Sequence, residues 1–283
     1  MSFIHLPDLH AEGAPAARPA AATGAAATGS PTADLLLGLA SGRVQIVDLT
    51  APLHEGTPII RLPAERGQPW PFQRELISRY DEKGPHVYWN NLKLCEHTGT
   101  HFDAPIHWLT GKDFDDVSEV PVQRLVAPAV VIDLTAEAGD PSFLLEQRHV
   151  EAWIARHGPL PQGAWLLYRT GWSRRGGNAD EFINNGVTPG VHPLCAQWLA
   201  EQTQVQGIGV ETVGTDAGQA GGFDPAYPCH WFFHGANKYG LTQLRNLHLL
   251  PARGAMLVVA PLPIVGGSGS PCRVMAIFDQ AGA

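Results

Sequence analysis

One run of eleven residues constrains this chain more than any other: His97-Thr98-Gly99-Thr100-His101-Phe102-Asp103-Ala104-Pro105-Ile106-His107. It packs three imidazoles and a carboxylate around a glycine and a proline. Gly99 lets the backbone turn without a Cβ clash, and Pro105 fixes the exit path. The pattern describes a backbone folded around one point rather than a pair of ligands on a helix face. Imidazole and carboxylate together suit a borderline divalent cation such as zinc or manganese.

His-x-Gly-Thr-His-x-Asp-Ala-Pro-x-His resembles the signature of the metal-dependent cyclase-like hydrolases, which include bacterial kynurenine formamidase and isatin hydrolase. Further similar blocks lie at residues 46–50, 78–81, 209–212, 214–220, 227–230 and 266–271. The resemblance runs from about Asp34 to the C-terminus. The Gly-Thr-Asp-Ala-Gly-Gln-Ala and Gly-Ser-Gly-Ser-Pro blocks are most similar to the isatin hydrolase branch. The fold it implies is α/β: a single cyclase-like β/β/α domain over residues 34–283, with a central mixed sheet or partial barrel flanked by helices.

The resemblance also implies roles. His97, His101 and Asp103 match metal ligands, and His107 matches a histidine that contacts substrate or moves protons. Three protein ligands leave open positions for water and substrate, which separates a catalytic metal site from a closed structural one. Thr98 and Thr100 are expected to bond the ligands and set the histidine tautomers. A second cluster, Cys229-His230-Trp231-Phe232-Phe233-His234, supplies His230 as acid or base. His234 shares a face with it if the segment is helical. Glu211 and Asp216 are expected to orient a histidine. In kynurenine formamidases a glutamate some twelve residues after the counterpart of His230 completes the metal site. Residues 239–247 here contain no acid, and Gln243 is the nearest isostere. An amide is a poorer ligand and cannot act as a base, which favours the isatin hydrolase branch. Trp89 and Trp108 are the aromatics expected to line a pocket for a flat bicyclic substrate, with Gln243 beside them.

Composition bounds the rest. The 283 residues suit one large α/β domain. A formal charge of -8 argues against nucleic acid as the main partner, and no apolar run is long enough to span a membrane. The four cysteines are scattered with no Cys-x-x-Cys pair, as expected of buried thiols in a cytoplasmic protein. Residues 1–33 include an Ala/Pro/Gly/Thr-rich stretch that reads as a flexible tail. It lacks the basic start and continuous apolar stretch of a secretory signal.

Residues 35–40 read as a short helix capped by Thr32 or Asp34 and ended by Ser41-Gly42. Residues 43–49 and 87–95 read as strands, and 50–72 as a long proline-dotted loop. The apolar runs 129–133 and 165–169 suit strands buried on both faces. Helices are expected at 149–157 and 193–204, and strands at 208–210, 256–260 and 273–278. No phosphate loop, dinucleotide fingerprint or serine-hydrolase elbow is present.

The function expected is hydrolysis of a cyclic amide by metal-activated water, isatin to isatinate, with one divalent metal per subunit. Manganese is favoured on the resemblance, and zinc fits the same ligands. Hydrolysis of N-formylkynurenine, or of another small lactone, imide or diketone, stays open. So does a metal-binding protein that sequesters its ligand unchanged. Family members imply a homodimer or higher homo-oligomer.

Overall fold

The computed structural model describes residues 29–280. Most of the expected tail, residues 1–28, lies outside the described residues. Helix α1 (Pro31–Ser41) starts three residues before the expected domain boundary, and neither Thr32 nor Asp34 caps it. Pro31 opens the helix, where its missing N–H costs nothing, and Thr32 and Asp34 lie inside. Gly42 ends the helix in the left-handed region (φ 74°), its amide donating to Leu39 O.

Twelve strands follow: β1 (Val44–Asp48), β2 (Gln73–Arg79), β3 (Tyr88–Lys93), β4 (His101–Asp103), β5 (Val126–Asp133), β6 (Leu144–Leu145), β7 (Trp165–Arg169), β8 (Gly190–Val191), β9 (Gly207–Val210), β10 (Tyr239–Thr242), β11 (Arg253–Pro261) and β12 (Gly269–Asp279). Three more helices are interleaved: α2 (Gln147–His157), α3 (Ala179–Ile183) and α4 (Pro193–Gln202). The main sheet runs β1-β12-β11-β5-β7-β9-β10-β4, and β4 pairs again with β12. That second pairing closes seven strands into a mixed barrel. β5, β7, β9 and β10 are parallel, and β4, β11 and β12 are antiparallel to their neighbours.

The apolar runs explain the layers. Along β7, Trp165 and Leu167 face into the barrel, while Leu166 and Tyr168 face outward. β5 does the same with Ala129 and Val131 inside and Val130 and Ile132 outside. Alternation on a strand buried on both faces leaves a continuous apolar run in the sequence. The outward set packs on Val150 and Trp153 of α2 and on Cys195 and Leu199 of α4. Trp153 Nε1 donates to Val131 O at 3.0 Å, pinning α2 to β5. Inside, Phe102 of β4 sits 5.1 Å from the Tyr239 ring and 6.3 Å from that of Trp165. Emptying such a position typically costs about 3–5 kcal/mol. The residues on either side of Phe102 are therefore held by the barrel core.

β2 and β3 stand apart as an antiparallel ribbon outside the barrel. The expected strand at 87–95 exists, yet almost all of it is exposed. Among the described residues no helix is long and apolar enough to cross a membrane.

Candidate metal centre

β4 carries the middle of the motif into the barrel wall. With Phe102 facing inward, strand alternation turns His101 and Asp103 to the opposite face, where both are buried. Glycines flank Asp103 on both neighbouring strands, Gly240 on β10 and Gly269 on β12. A Cβ on Gly240 would lie 2.7 Å from Asp103 Oδ2. One on Gly269 would lie 2.6 Å from His97 Cε1 and 2.5 Å from Phe102 O. These two positions admit only hydrogen because the carboxylate and the imidazole occupy the space. Gly99 takes φ 66°, the left-handed turn that brings His97 back over β4.

Hydrogen bonds settle where the lone pairs point. Ser268 Oγ donates to Glu96 Oε2 at 2.6 Å, so it accepts from His97 Nε2–H at 2.9 Å. The other nitrogen of His97, Nδ1, then presents its lone pair 2.8 Å from Asp103 Oδ1. His101 Nδ1 donates to Gly99 O at 2.8 Å, which leaves the lone pair on Nε2, 3.3 Å from the same carboxylate oxygen and 3.2 Å from Thr242 Oγ1. Acceptors this close repel one another unless positive charge sits among them. The donor set, two imidazole nitrogens and a carboxylate, fits a divalent cation. Burial would raise the Asp103 carboxyl, but the charge and hydrogen bonds of His101 and His97 hold it well below the usual carboxylate range.

His107 leaves the motif on a short 3-10 turn, Pro105–His107, and stacks on His97 with ring centroids 3.9 Å apart. Ligand-capable atoms of His97, Asp103 and His107 all lie within 4.8 Å of one another. Burial, and then the neighbouring His97, push the His107 pKa well below that of an ordinary histidine.

The second cluster forms a π-helical turn, His230–His234, of the kind often found at functional sites. Its rings are 5.4 Å apart. Asp216 grips the start of this turn. It accepts from Cys229 N (2.7 Å) and His230 N (3.1 Å), and its Oδ2 lies 2.5 Å from His230 Nδ1. Burial would lower the His230 pKa, but Asp216 outweighs it and the pKa rises. Trp108 packs against the His230 ring at 4.8 Å and against Tyr227 at 5.5 Å. A second group, Asp103, His230 and His234, again places ligand-capable atoms within 4.8 Å of one another.

Five expected site residues lie elsewhere. Thr98 bonds Cys95 N and O and so holds the loop before the motif. Thr100 donates to Gln243 O and accepts from Ala51 N, so its hydroxyl joins backbones and bonds no imidazole. Glu211 accepts from Thr170 N, Gly171 N and Ser173 Oγ, and thereby organises the loop after β7. Trp89 sits on the outer ribbon, 55% exposed. Gln243 has φ 52°, and its Nε2 donates to Pro58 O. It lines a cavity of about 450 Å³ with Glu211, Arg174 and Arg245, and none of the clustered histidines lines that cavity. The residue of β10 that faces the site is Thr242, whose Oγ1 lies 2.9 Å from His101 Nδ1. Asp216, Trp108, His107 and His230 come together. The chain Glu96–Ser268–His97 and the contact of Thr242 were missed. Ser268 lies inside the Gly-Ser-Gly-Ser-Pro block, but nothing in its spacing ties it to residues more than 170 positions away.

The four cysteines are free, and three are buried. Burial pushes the Cys195 thiol up to about 12 and that of Cys229 well above the usual range, so neither is a reactive thiolate.

The Cyclase family model matches residues 47–217. The chain belongs to the Cyclase family. Within that family it is 45% identical over 251 residues to an isatin hydrolase from Roseibium aggregatum, covering 86% of this chain and 95% of the relative. It is 30% identical over 215 residues to a kynurenine formamidase from Salinibacter ruber, covering 73% and 89%. A solved structure, isatin hydrolase A from Ralstonia solanacearum, superposes with a TM-score of 0.86 at 48% identity, covering 90% of this chain and all of that one.

Proposed function

We propose that this chain is a metal-dependent hydrolase that opens the lactam ring of isatin to isatinate. The observation that carries the reading is the convergence of His97 Nδ1, His101 Nε2 and Asp103 Oδ1 beside the His230–Asp216 pair. The family's isatin hydrolases at 45% and 48% identity supply the substrate.

In this reading His97, His101 and Asp103 hold the cation. When bound, it lowers the pKa of a water toward neutrality and polarises a carbonyl. Manganese is favoured on the family likeness, and zinc suits the same donors. His107, kept unprotonated by burial, takes the proton of the attacking water. His230, whose affinity for a proton is raised by Asp216, returns one to the ring nitrogen as the C–N bond breaks. Trp108, edge-on to His107 and against His230, offers a flat apolar wall for the bicyclic ring.

The test is a paired assay. Protein stripped of metal and reloaded separately with manganese or zinc is offered isatin and N-formylkynurenine. Isatin is expected to be opened faster in kcat/KM by about two orders of magnitude. A faster deformylation would replace this reading with the second one, N-formylkynurenine hydrolysis, which the Salinibacter relative keeps open.

The ribbon β2–β3 supports a homodimer. Leu76, Tyr88, Trp89 and Leu92 are exposed on it, with Trp70 held alongside by Lys93 at 4.0 Å. Exposed apolar side chains on a ribbon with free edges favour pairing with a second copy. Sedimentation is expected to give a dimer at micromolar concentration, and W89E with L92E a monomer. A wild-type monomer would overturn this assignment. The free, buried cysteines suit a reducing cytoplasm.

A further inference from the structure

We propose that His234 recognises the N–H of the ring amide, so that the site discriminates against N-alkylated lactams. The inference rests on the hydrolase reading above and adds which nitrogen substituent the site accepts.

His234 is 1% exposed. Its Nδ1 lies 3.1 Å from Lys238 O, a carbonyl that can only accept, so Nδ1 carries the hydrogen. The Lys238 backbone is tied down by its own N–H donating to Phe233 O at 2.8 Å, and its Nζ donates to Leu199 O and Thr203 O at the end of α4. The tautomer follows: Nε2 bears a lone pair and can only accept. Yet Nε2 is buried with no hydrogen-bond partner. An orphaned buried acceptor is costly, and one kept in a native structure calls for a catalytic role or for a water, ion or ligand that answers it.

The surroundings show which donor. A ring nitrogen of His234 lies within 4.8 Å of an Asp103 oxygen and a His230 nitrogen. With Nδ1 engaged by Lys238, Nε2 is the nitrogen free to face a ligand. One small atom between these three groups lies within hydrogen-bonding distance of each. During ring opening the water oxygen bonds to the carbonyl carbon, its proton passes to His107, and the C–N bond breaks as nitrogen takes a proton from His230. The hydrogen already on that nitrogen stays there throughout. A nitrogen placed to receive the proton of His230 lies beside the His234 ring, 5.4 Å from that of His230. Its own N–H then meets Nε2. An N-methyl lactam offers no donor and sets a methyl group against the same lone pair. A site built around a substrate N–H rejects the analogue lacking it far more strongly than a pocket rejects a methylene.

The test uses the metal-loaded enzyme with isatin and N-methylisatin, in the wild type, H234L and H234Q. Metal content and thermal melting are measured alongside. The wild type is expected to prefer isatin by about 100-fold or more in kcat/KM. H234L should lose about 100-fold on isatin and little on N-methylisatin, so the preference collapses at unchanged metal content. H234Q, which restores an acceptor, should recover part of it. Equal losses on both substrates, loss of metal, an unchanged ratio in both variants, or a wild type indifferent to N-methylation would each overturn the inference. If H234L does not fold, the ratio in H234Q decides in the same way. A wild type that opens neither ring overturns the hydrolase reading and the inference with it. An enzyme that opens isatin with the same ratio in every variant overturns the inference alone.

Discussion

Replacing Asp103 by asparagine is expected to reduce bound metal from about one ion per subunit to near zero and to lower kcat/KM by at least about 10³-fold. The reason lies in how the carboxylate is placed. His97 and His101 both turn a nitrogen lone pair toward Asp103 Oδ1, each with its other nitrogen committed, one to Ser268 and one to Gly99 O. An asparagine keeps the shape between Gly240 and Gly269 and removes the charge. D103A would confuse the result by opening a hole next to Phe102. Metal analysis and turnover are the readouts, with circular dichroism to show that the barrel persists. D103N with full metal content and full activity would sink the proposed centre.

The second large effect is expected from Asp216→Asn. This carboxylate touches neither His97 nor His101, so bound metal should be retained while kcat falls by about 10²–10⁴-fold. Asp216 supports the protonated form of His230 through Nδ1 and anchors the π-turn through two backbone amides. Burial alone would depress the His230 pKa, and Asp216 is what lifts it. Without the carboxylate the pKa falls. The limb of the pH–rate profile that reports loss of the His230 proton therefore moves to lower pH. A merely structural Asp216 would lower activity at every pH and leave the limb in place. Loss of metal in this variant would show that the two halves of the site are not separable.

Much of this protein was legible without coordinates, for a local reason. His97, His101, Asp103 and His107 lie within eleven residues whose glycine and proline dictate the bend, so their convergence needs no distant partner. Strands β5 and β7 show in their apolar runs because both faces are buried. α2 and α4 lie within a few residues of their expected ends. The family likeness also pointed to the right layers, although the sheet proved to be a closed barrel.

Other placements depend on contacts between segments far apart in the chain. β4 is three residues long and closes the barrel only because β10 and β12 both offer it an edge and a glycine. Gln243 was the expected isostere near His101, but its left-handed φ breaks the strand and turns its amide to Pro58. Thr242, one residue earlier, keeps the strand alternation and faces the histidine. Glu211 has the charge to orient an imidazole, yet the backbone amides after β7 reach it first. The lone pair of His97 is set by Ser268, 171 positions along the chain, which in turn donates to Glu96, the residue next to His97, a hydrogen-bond relay with no sequence signature. The sequence by itself determined which chemical groups gather at one point, because proximity along the chain and the turn residues enforce it. Only the tertiary structure decided which nitrogens stay bare and which acids are already engaged, because hydrogen-bond partners are chosen by packing and not by spacing.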